Sequence, residues 1–223
     1  MATETGKASA GSSWYVTSGE PAAGTVERLL RLLPGWFGIE SSNAEYVEKA
    51  RELPAYLAWP GAAQRADGGQ RQPSGVLLSI RHFPWAAEIY LMAVDPGMHR
   101  RGAGRALVKT LEADLIADGV EFLQVKTLGP SLPDAGYDKT RQFYTRMGFR
   151  PLEEIAGLWP GNPCLIMVKT LPHDRARLAF LVAEMSGICV VAHRRQRLLV
   201  MHHVSPKARI YRAIAVRCWP GSG

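Results

Sequence analysis

The chain has 223 residues, 47% of them hydrophobic and 21% charged, with a net charge of +7. That is enough for one domain plus an appendage, with the apolar content of a real core. It speaks against a membrane span, because no apolar run reaches roughly 18 residues, and the opening MATETGKASAGSSW lacks the apolar stretch of a secretory signal, so a cytoplasmic protein is expected.

Residues 1–12 are small and polar and read as disordered. WYVTS is a short strand. GTVERLLRLL has helical spacing, with Val26, Leu29, Leu30 and Leu33 on one face, and Pro34-Gly35 stops it. SSNAEYVEKARELP is a second helix, with Ser42 or Asn43 as cap and Pro54 at its end. AYLAW is a strand, and the polar, Gly/Pro-rich stretch 60–75 is a loop. VLLSIRHF and AAEIYLMAV are strands, and a third helix opens after HRRGAG. VEFLQVKTL is a largely apolar, central strand. GPSLPDAGYD reads as a loop, and KTRQFYTRM as a fourth helix closed by Gly148. RPLEEIAGLW and CLIMVKTL form a last strand pair around the turn PGNP.

This order mixes hairpins with crossover helices. It predicts an α/β fold, a mixed central sheet flanked by about four helices. The expected division is a disordered 1–12, a domain over 13–172, and a basic extension over 173–223. Nine Lys/Arg but only two acids follow residue 172, so the extension holds the whole net charge and the domain is balanced. The extension reads either as an appendage for nucleic acid, anionic lipid or a partner, or as a poorly structured segment without a selected role, the second being preferred. Nucleic acid is otherwise not an expected partner, nor is a membrane. The pattern leaves room for a homodimer. Three cysteines without a CxxC pair, and histidines without metal spacing, predict no disulfide framework and no metal site.

AVDPGMHRRGAGRALVKTLEADL carries the strongest chemical signal. A strand runs into a Gly-rich turn and then a helix, whose first amides have no helical partner and lie at the positive end of the helix dipole. Glycine lets an anion approach the backbone. Arg100, Arg101 and Arg105 add charge for phosphate oxygens, and Leu107, Leu111 and Leu115 dock the helix. The spacing is neither a Rossmann turn, since Leu107 stands where the third glycine belongs, nor a nucleotide-hydrolysing P-loop. A Gly-containing helix start with solvated arginines is the plain alternative.

LMAVDPGMHRRGAGRALV resembles the acetyl-CoA-binding motif of the GNAT N-acetyltransferase superfamily, at Val94, Pro96, His99, Gly102 and Gly104. His99 stands where that family usually has Gln or Arg. TRQFYTRMGFRPL resembles the family's later helix, at Phe143, Tyr144, Gly148 and Phe149. The resemblance spans about residues 14–171. It implies acetyl transfer from acetyl-CoA, as co-substrate and without metal, to an amine by direct attack. It also implies that the backbone of Met92, Ala93 and Val94 holds the pantetheine arm, and that His99, Arg100, Arg101, Gly102, Ala103, Gly104 and Arg105 hold the diphosphate.

Two side chains are catalytic candidates. Glu88 resembles the family's base, and period-2 alternation places Glu88, Tyr90, Met92 and Val94 on one face. A strand-edge glutamate facing water or an arginine is the other reading. Tyr144 resembles the family's proton donor to the cofactor sulfur, the other reading being a packing tyrosine. Cys164 reads as a small buried residue rather than a nucleophile. The acceptor is expected to meet Trp36, Phe37, Glu40, Glu45, Tyr46, Asp134, Tyr137, Trp159 and Asn162, an aromatic and acidic set suited to a small cationic amine such as a metabolite or antibiotic. A protein lysine or N-terminal acceptor, and a non-catalytic acyl-CoA sensor, are the rival functions.

Overall fold

The computed structural model describes residues 14–61 and 72–172, and three short strands within 190–215. Contacts divide the chain into two units, Met1–Pro172 and His173–Gly223. In the first, β1 (Trp14–Ser18), α1 (Ala23–Arg31), α2 (Glu40–Lys49), β2 (Ala55–Pro60), β3 (Gly75–Phe83), β4 (Ala86–Val94), α3 (Ala103–Ala117), β5 (Phe122–Leu128), α4 (Ala135–Arg146), β6 (Arg150–Trp159) and β7 (Asn162–Thr170) follow in the expected order. The second unit contains β8 (Val190–His193), β9 (Arg197–Val200) and β10 (Ile214–Ala215), which form a small antiparallel sheet. The expected disorder of residues 1–12 lies outside the described residues, as does most of the extension.

The first seven strands build one sheet in the order β1-β2-β3-β4-β5-β7-β6. Every adjacent pair is antiparallel except β4–β5, which α3 joins as a parallel crossover. Two cores cover the two faces. On one, Leu107, Val108 and Leu111 of α3 and Tyr144 of α4 pack on Leu77, Ile89, Val125 and Met167. On the other, Val26, Leu29, Leu30 and Leu33 pack on Leu57, Val76, Leu78 and Leu91. Each fully buried Leu contributes roughly 1.5–3 kcal/mol.

Two helix starts differ from expectation. α2 begins at Glu40 with no side-chain cap, and Asn43 instead reaches back from within the helix to donate to the Phe37 carbonyl at 2.9 Å. α4 begins at Ala135, earlier than its apolar pattern suggests, because the Asp134 carboxylate caps it by accepting from the amides of Gly136 and Tyr137.

Two irregularities in the sheet create the site. Leu78 pairs with Leu91 but Ser79 pairs with Ile89, so Tyr90 is an extra residue, a β-bulge. The bulge corrects the expected face of Glu88. Ala87 and Ile89 lie on the α3 side, but past the bulge Met92 and Val94 take that side. Glu88 and Tyr90 therefore face the α1–α2 side, opposite Met92 and Val94. The second irregularity is that β4 and β5 pair only over Ala86–Ile89 and Phe122–Val125. Beyond these residues the two strands part, leaving facing edges on Tyr90–Val94 and Lys126–Leu128.

Candidate functional site

The wide end of this parting meets the N-terminus of α3. After β4, Asp95 accepts from the Gly97 amide at 2.8 Å, and His99 Nε2 lies 2.8 Å from the Val94 carbonyl. The backbone then turns twice through the left-handed region, at Arg100 (φ 61°) and Gly102 (φ 96°). Glycine makes the second turn without strain. Trp14 Nε1 donates to the Arg101 carbonyl at 2.6 Å, tying the loop to β1. Ala106 N donates to Gly102 O at 2.9 Å, so the amides of Ala103, Gly104 and Arg105 lie in the first turn without helical partners. A Cβ at Gly104 would sit 3.4 Å from the Phe143 ring. Arg100, Arg101 and Arg105 are exposed and form no ion pair among the described residues.

Strand geometry sets which amides face the parting. Asp95 N donates to Ser74 O at 2.8 Å, toward β3. Alternation turns the Ala93 amide the same way and leaves those of Met92 and Val94 facing the free edge. An elongated ligand with an anionic end fits here: the anion at the helix N-terminus, the arm along β4.

Glu88 sits at the narrow end, only 3% exposed. Its Oε2 gathers three partners: Gln124 Nε2 at 2.7 Å, Lys126 Nζ at 2.8 Å and His82 Nε2 at 2.8 Å. Oε1 has no hydrogen-bond partner among the described residues and is not sealed off. Burial by itself would push this carboxyl up, but the hydrogen bonds from Lys126, His82 and Gln124 outweigh it and hold it below the ordinary range. Glu88 is thus neither free in water nor paired to an arginine.

Tyr144 is buried between Phe143 and Phe149, edge-on to both, and its hydroxyl makes no hydrogen bond among the described residues. Burial pushes its phenol well above the usual range, so it holds its proton. Cys164 is fully buried, and burial likewise raises its thiol, which suits packing rather than attack.

On the α1–α2 side, Tyr90 donates to Glu45 at 2.9 Å, Tyr46 lies edge-on to both Tyr90 and Phe37, and Tyr137 donates to the Trp36 carbonyl at 2.9 Å. Trp36 also lies edge-on to His99 and against Gly136. His99 follows β4 and Gly136 follows β5, so Trp36 bridges the two sides of the parting. Asp134 joins this group through its cap on α4. Trp159 and Asn162 pair at the tip of the β6–β7 hairpin, past the end of β5, and Glu40 is exposed at the start of α2.

Residues 66–151 match the family model of the acetyltransferase (GNAT) domain. This chain carries a GNAT acetyltransferase domain. The matched domain is that of an acyltransferase. Its fold is shared with a GNAT-family protein from Desulfovibrio desulfuricans, 19% identical, covering 70% of this chain and 99% of that one at a TM-score of 0.57. It is shared as well with the ribosomal-protein-S18-alanine N-acetyltransferase of Escherichia coli (16%; 73% and 97%; TM-score 0.55). Arabidopsis thaliana NAA60, solved with acetyl-CoA, is a third (16%; 71% and 98%; TM-score 0.53). Comparison with curated proteins finds no match. Among the described residues of the GNAT domain, no group of side chains is arranged to hold a metal, and no helix is long and apolar enough to cross a membrane.

Sequence reasoning missed the partners of Glu88. Gln124 and Lys126 alternate with Leu123, Val125 and Thr127, which in a central GNAT strand marks one face as polar. That signal was readable. His82 carried none, because it reaches Glu88 only across the β3–β4 hairpin.

Proposed function

We propose that the domain transfers an acetyl group from acetyl-CoA to the primary amine of a small cationic molecule. The observation that carries this reading is Glu88: a buried carboxylate at the narrow end of the parting, anchored through Oε2, with Oε1 unpartnered among the described residues. The amides of Ala103, Gly104 and Arg105, with the nearby arginines and His99, would hold the diphosphate of acetyl-CoA, and the edge of Met92 and Val94 its arm. Acetyl-CoA supplies the thioester carbon. The amine nitrogen bonds to it and gives a proton to Glu88 Oε1, while the C–S bond breaks and the Tyr144 hydroxyl protonates the sulfur. Amide and thiol result.

The aromatic ring of Tyr46, Tyr90, Tyr137, Trp36 and Phe37, with Glu45 and Asp134, supports a cationic acceptor. The Trp36 bridge across the parting favours a compact one. Free-thiol release from acetyl-CoA, measured over polyamines, aminoglycosides, arylalkylamines, lysine peptides and peptide N-termini, tests this. Release with small amines is expected. Release with peptides alone would move the acceptor class to proteins, and intact acetyl-CoA binding without any release would overturn the catalytic assignment of Glu88.

The proton on Tyr144 gives a separate expectation. Tyr144→Phe keeps the ring packed on Phe143 and Phe149 but removes the donor. Turnover should fall by roughly 10- to 100-fold, with calorimetric affinity for acetyl-CoA close to wild type. Unchanged turnover would reduce Tyr144 to a packing residue.

A further inference from the structure

The carboxylate proposed as base already has a primary amine beside it. Lys126 follows Val125, the last residue of β5 paired with β4, so it stands at the opening of the parting. It alternates with the core residue Val125 and shares the face of Gln124, the α1–α2 side to which Glu88 also points. Its Nζ lies 2.8 Å from Glu88 Oε2, and its side chain is 29% exposed, so it is not sealed into the sheet.

A counter-charge for Glu88 does not by itself call for lysine. Arginine supplies the same charge permanently and without a nucleophile. Lysine is a primary alkyl amine on a flexible four-carbon stem, the functional group that the domain is proposed to acetylate. The acceptor nitrogen gives its proton to Oε1, and Lys126 Nζ lies at Oε2 of the same carboxylate. Passing from one oxygen to the other is a short swing for such a stem. Lys109 and Lys169 pair with Glu112, and Lys49 with Glu52, so none of these stands at Glu88. When no acceptor holds Oε1, Lys126 is the amine at hand for the base.

We propose that Lys126 is a self-acetylation site: without an acceptor, bound acetyl-CoA transfers its acetyl group to Nζ of the same chain. Transfer to Lys126 rests on the placement of acetyl-CoA and the role of Glu88 proposed above. The ammonium form of Nζ first loses a proton to water. The nitrogen then bonds to the thioester carbon and gives a second proton to Glu88, while the C–S bond breaks and Tyr144 protonates the sulfur. Once Glu88 and Tyr144 regain their starting states, one proton of Nζ has gone to water and one has become that of the CoA thiol. The product side chain is neutral, so Glu88 loses the cation among its three donors.

The test incubates the whole protein with acetyl-CoA and no amine, and follows each lysine by peptide mass spectrometry. Acetylation of Lys126 is expected, at least about tenfold faster than that of the half-exposed Lys49 and Lys109. Its rate per chain should not depend on protein concentration. Glu88→Gln should slow it by roughly 100-fold, and an added small-amine acceptor should suppress it. Lys126→Arg should abolish the stoichiometric burst of free thiol that wild type releases without an acceptor. No acetyl group at Lys126, in protein that binds acetyl-CoA and turns over small amines, would overturn the self-acetylation and leave the proposed function standing. Acetylation no faster than at Lys49, or as fast in Glu88→Gln, would overturn it as the solution chemistry of a reactive thioester. A rate that climbs with protein concentration would place the transfer between chains and overturn it too. Failure of the wild-type protein to bind acetyl-CoA would overturn the placement of the cofactor itself, and the transfer to Lys126 with it.

Discussion

Glu88→Gln lowers turnover by roughly 100- to 10,000-fold and leaves acetyl-CoA affinity unchanged. The substitution keeps the shape of the side chain and its place among Gln124, Lys126 and His82, and removes the group that accepts the proton. The fall in rate is then chemical rather than structural: an unchanged cofactor titration would establish that, while melting falls only by what the lost charge pairing with Lys126 contributes. A rate within about threefold of wild type would end the base assignment, because a positioned base is worth far more.

The pH profile of this variant is equally diagnostic. Glu88 is held below its ordinary value of 4.5 by the hydrogen bonds that outweigh its burial. Even for an ordinary carboxylate, taking a proton from a free ammonium with a pKa near that of lysine would run uphill by roughly 8 kcal/mol, and the lowered pKa of Glu88 makes it steeper. Glu88 therefore does not titrate the bound ammonium. It receives the proton as the nitrogen bonds to carbon and turns acidic. Wild type and Glu88→Gln should both gain rate with pH as the neutral amine fraction rises, so the variant's curve lies lower with the same shape. A rising limb that vanished in Glu88→Gln would place the deprotonation of the ammonium on Glu88 after all. The same lowered pKa has a consequence for folding. A group whose native pKa is depressed stabilises the native state above its unfolded pKa, so this contribution is fully present above about 4.5. It is lost as pH falls through the lower native value.

How far the site could be read from sequence depends on how local each cause is. Val26, Leu29, Leu30 and Leu33 declare their helix by spacing alone, and the turn from Val94 to Gly104 declares a helix N-terminus by its glycines and arginines. These are contacts between residues close in sequence. The bulge at Tyr90 is different. It exists only because Leu78 and Ser79 pair with Leu91 and Ile89, and one extra residue turns the face of every position beyond it. Alternation counted along β4 alone could not reveal that Glu88 and Met92 look in opposite directions. The start of α4 was legible in principle, since Asp134 is a good cap, but Pro133 and Gly136 outweighed it as loop signals. The bridge from Trp36 to His99 and Gly136 joins segments about 60 and 100 residues apart in sequence and left no local trace.

Glu112 provides a large expected stability effect in the domain. It lies on α3 with its side chain 6% exposed, accepts from Lys109 at 2.7 Å, and is ion-paired with Lys169 of β7. Lys169 is 15% exposed, donates to the Met147 carbonyl at 2.7 Å, and lies 5.9 Å over the Phe149 ring. One buried pair thus ties α3, β7 and the C-terminal end of α4, the helix that carries Tyr144. Glu112→Ala leaves the Lys169 ammonium buried without its counter-charge, at a cost of about 3–5 kcal/mol. That is a large part of a domain's usual 5–15 kcal/mol, and it lowers the melting temperature by roughly 10 °C. The ion pair is not in itself the source of stability, however, because both charges had to be dehydrated to form it. Glu112→Leu combined with Lys169→Met should therefore recover most of the loss in thermal unfolding, since apolar replacements of similar volume remove both dehydrated charges together. A double variant as unstable as the single one would mean that the loss comes from the α3 surface and not from a stranded charge. Full recovery would show that the tie holds α4 in place at the expense of stability that an apolar contact supplies as well.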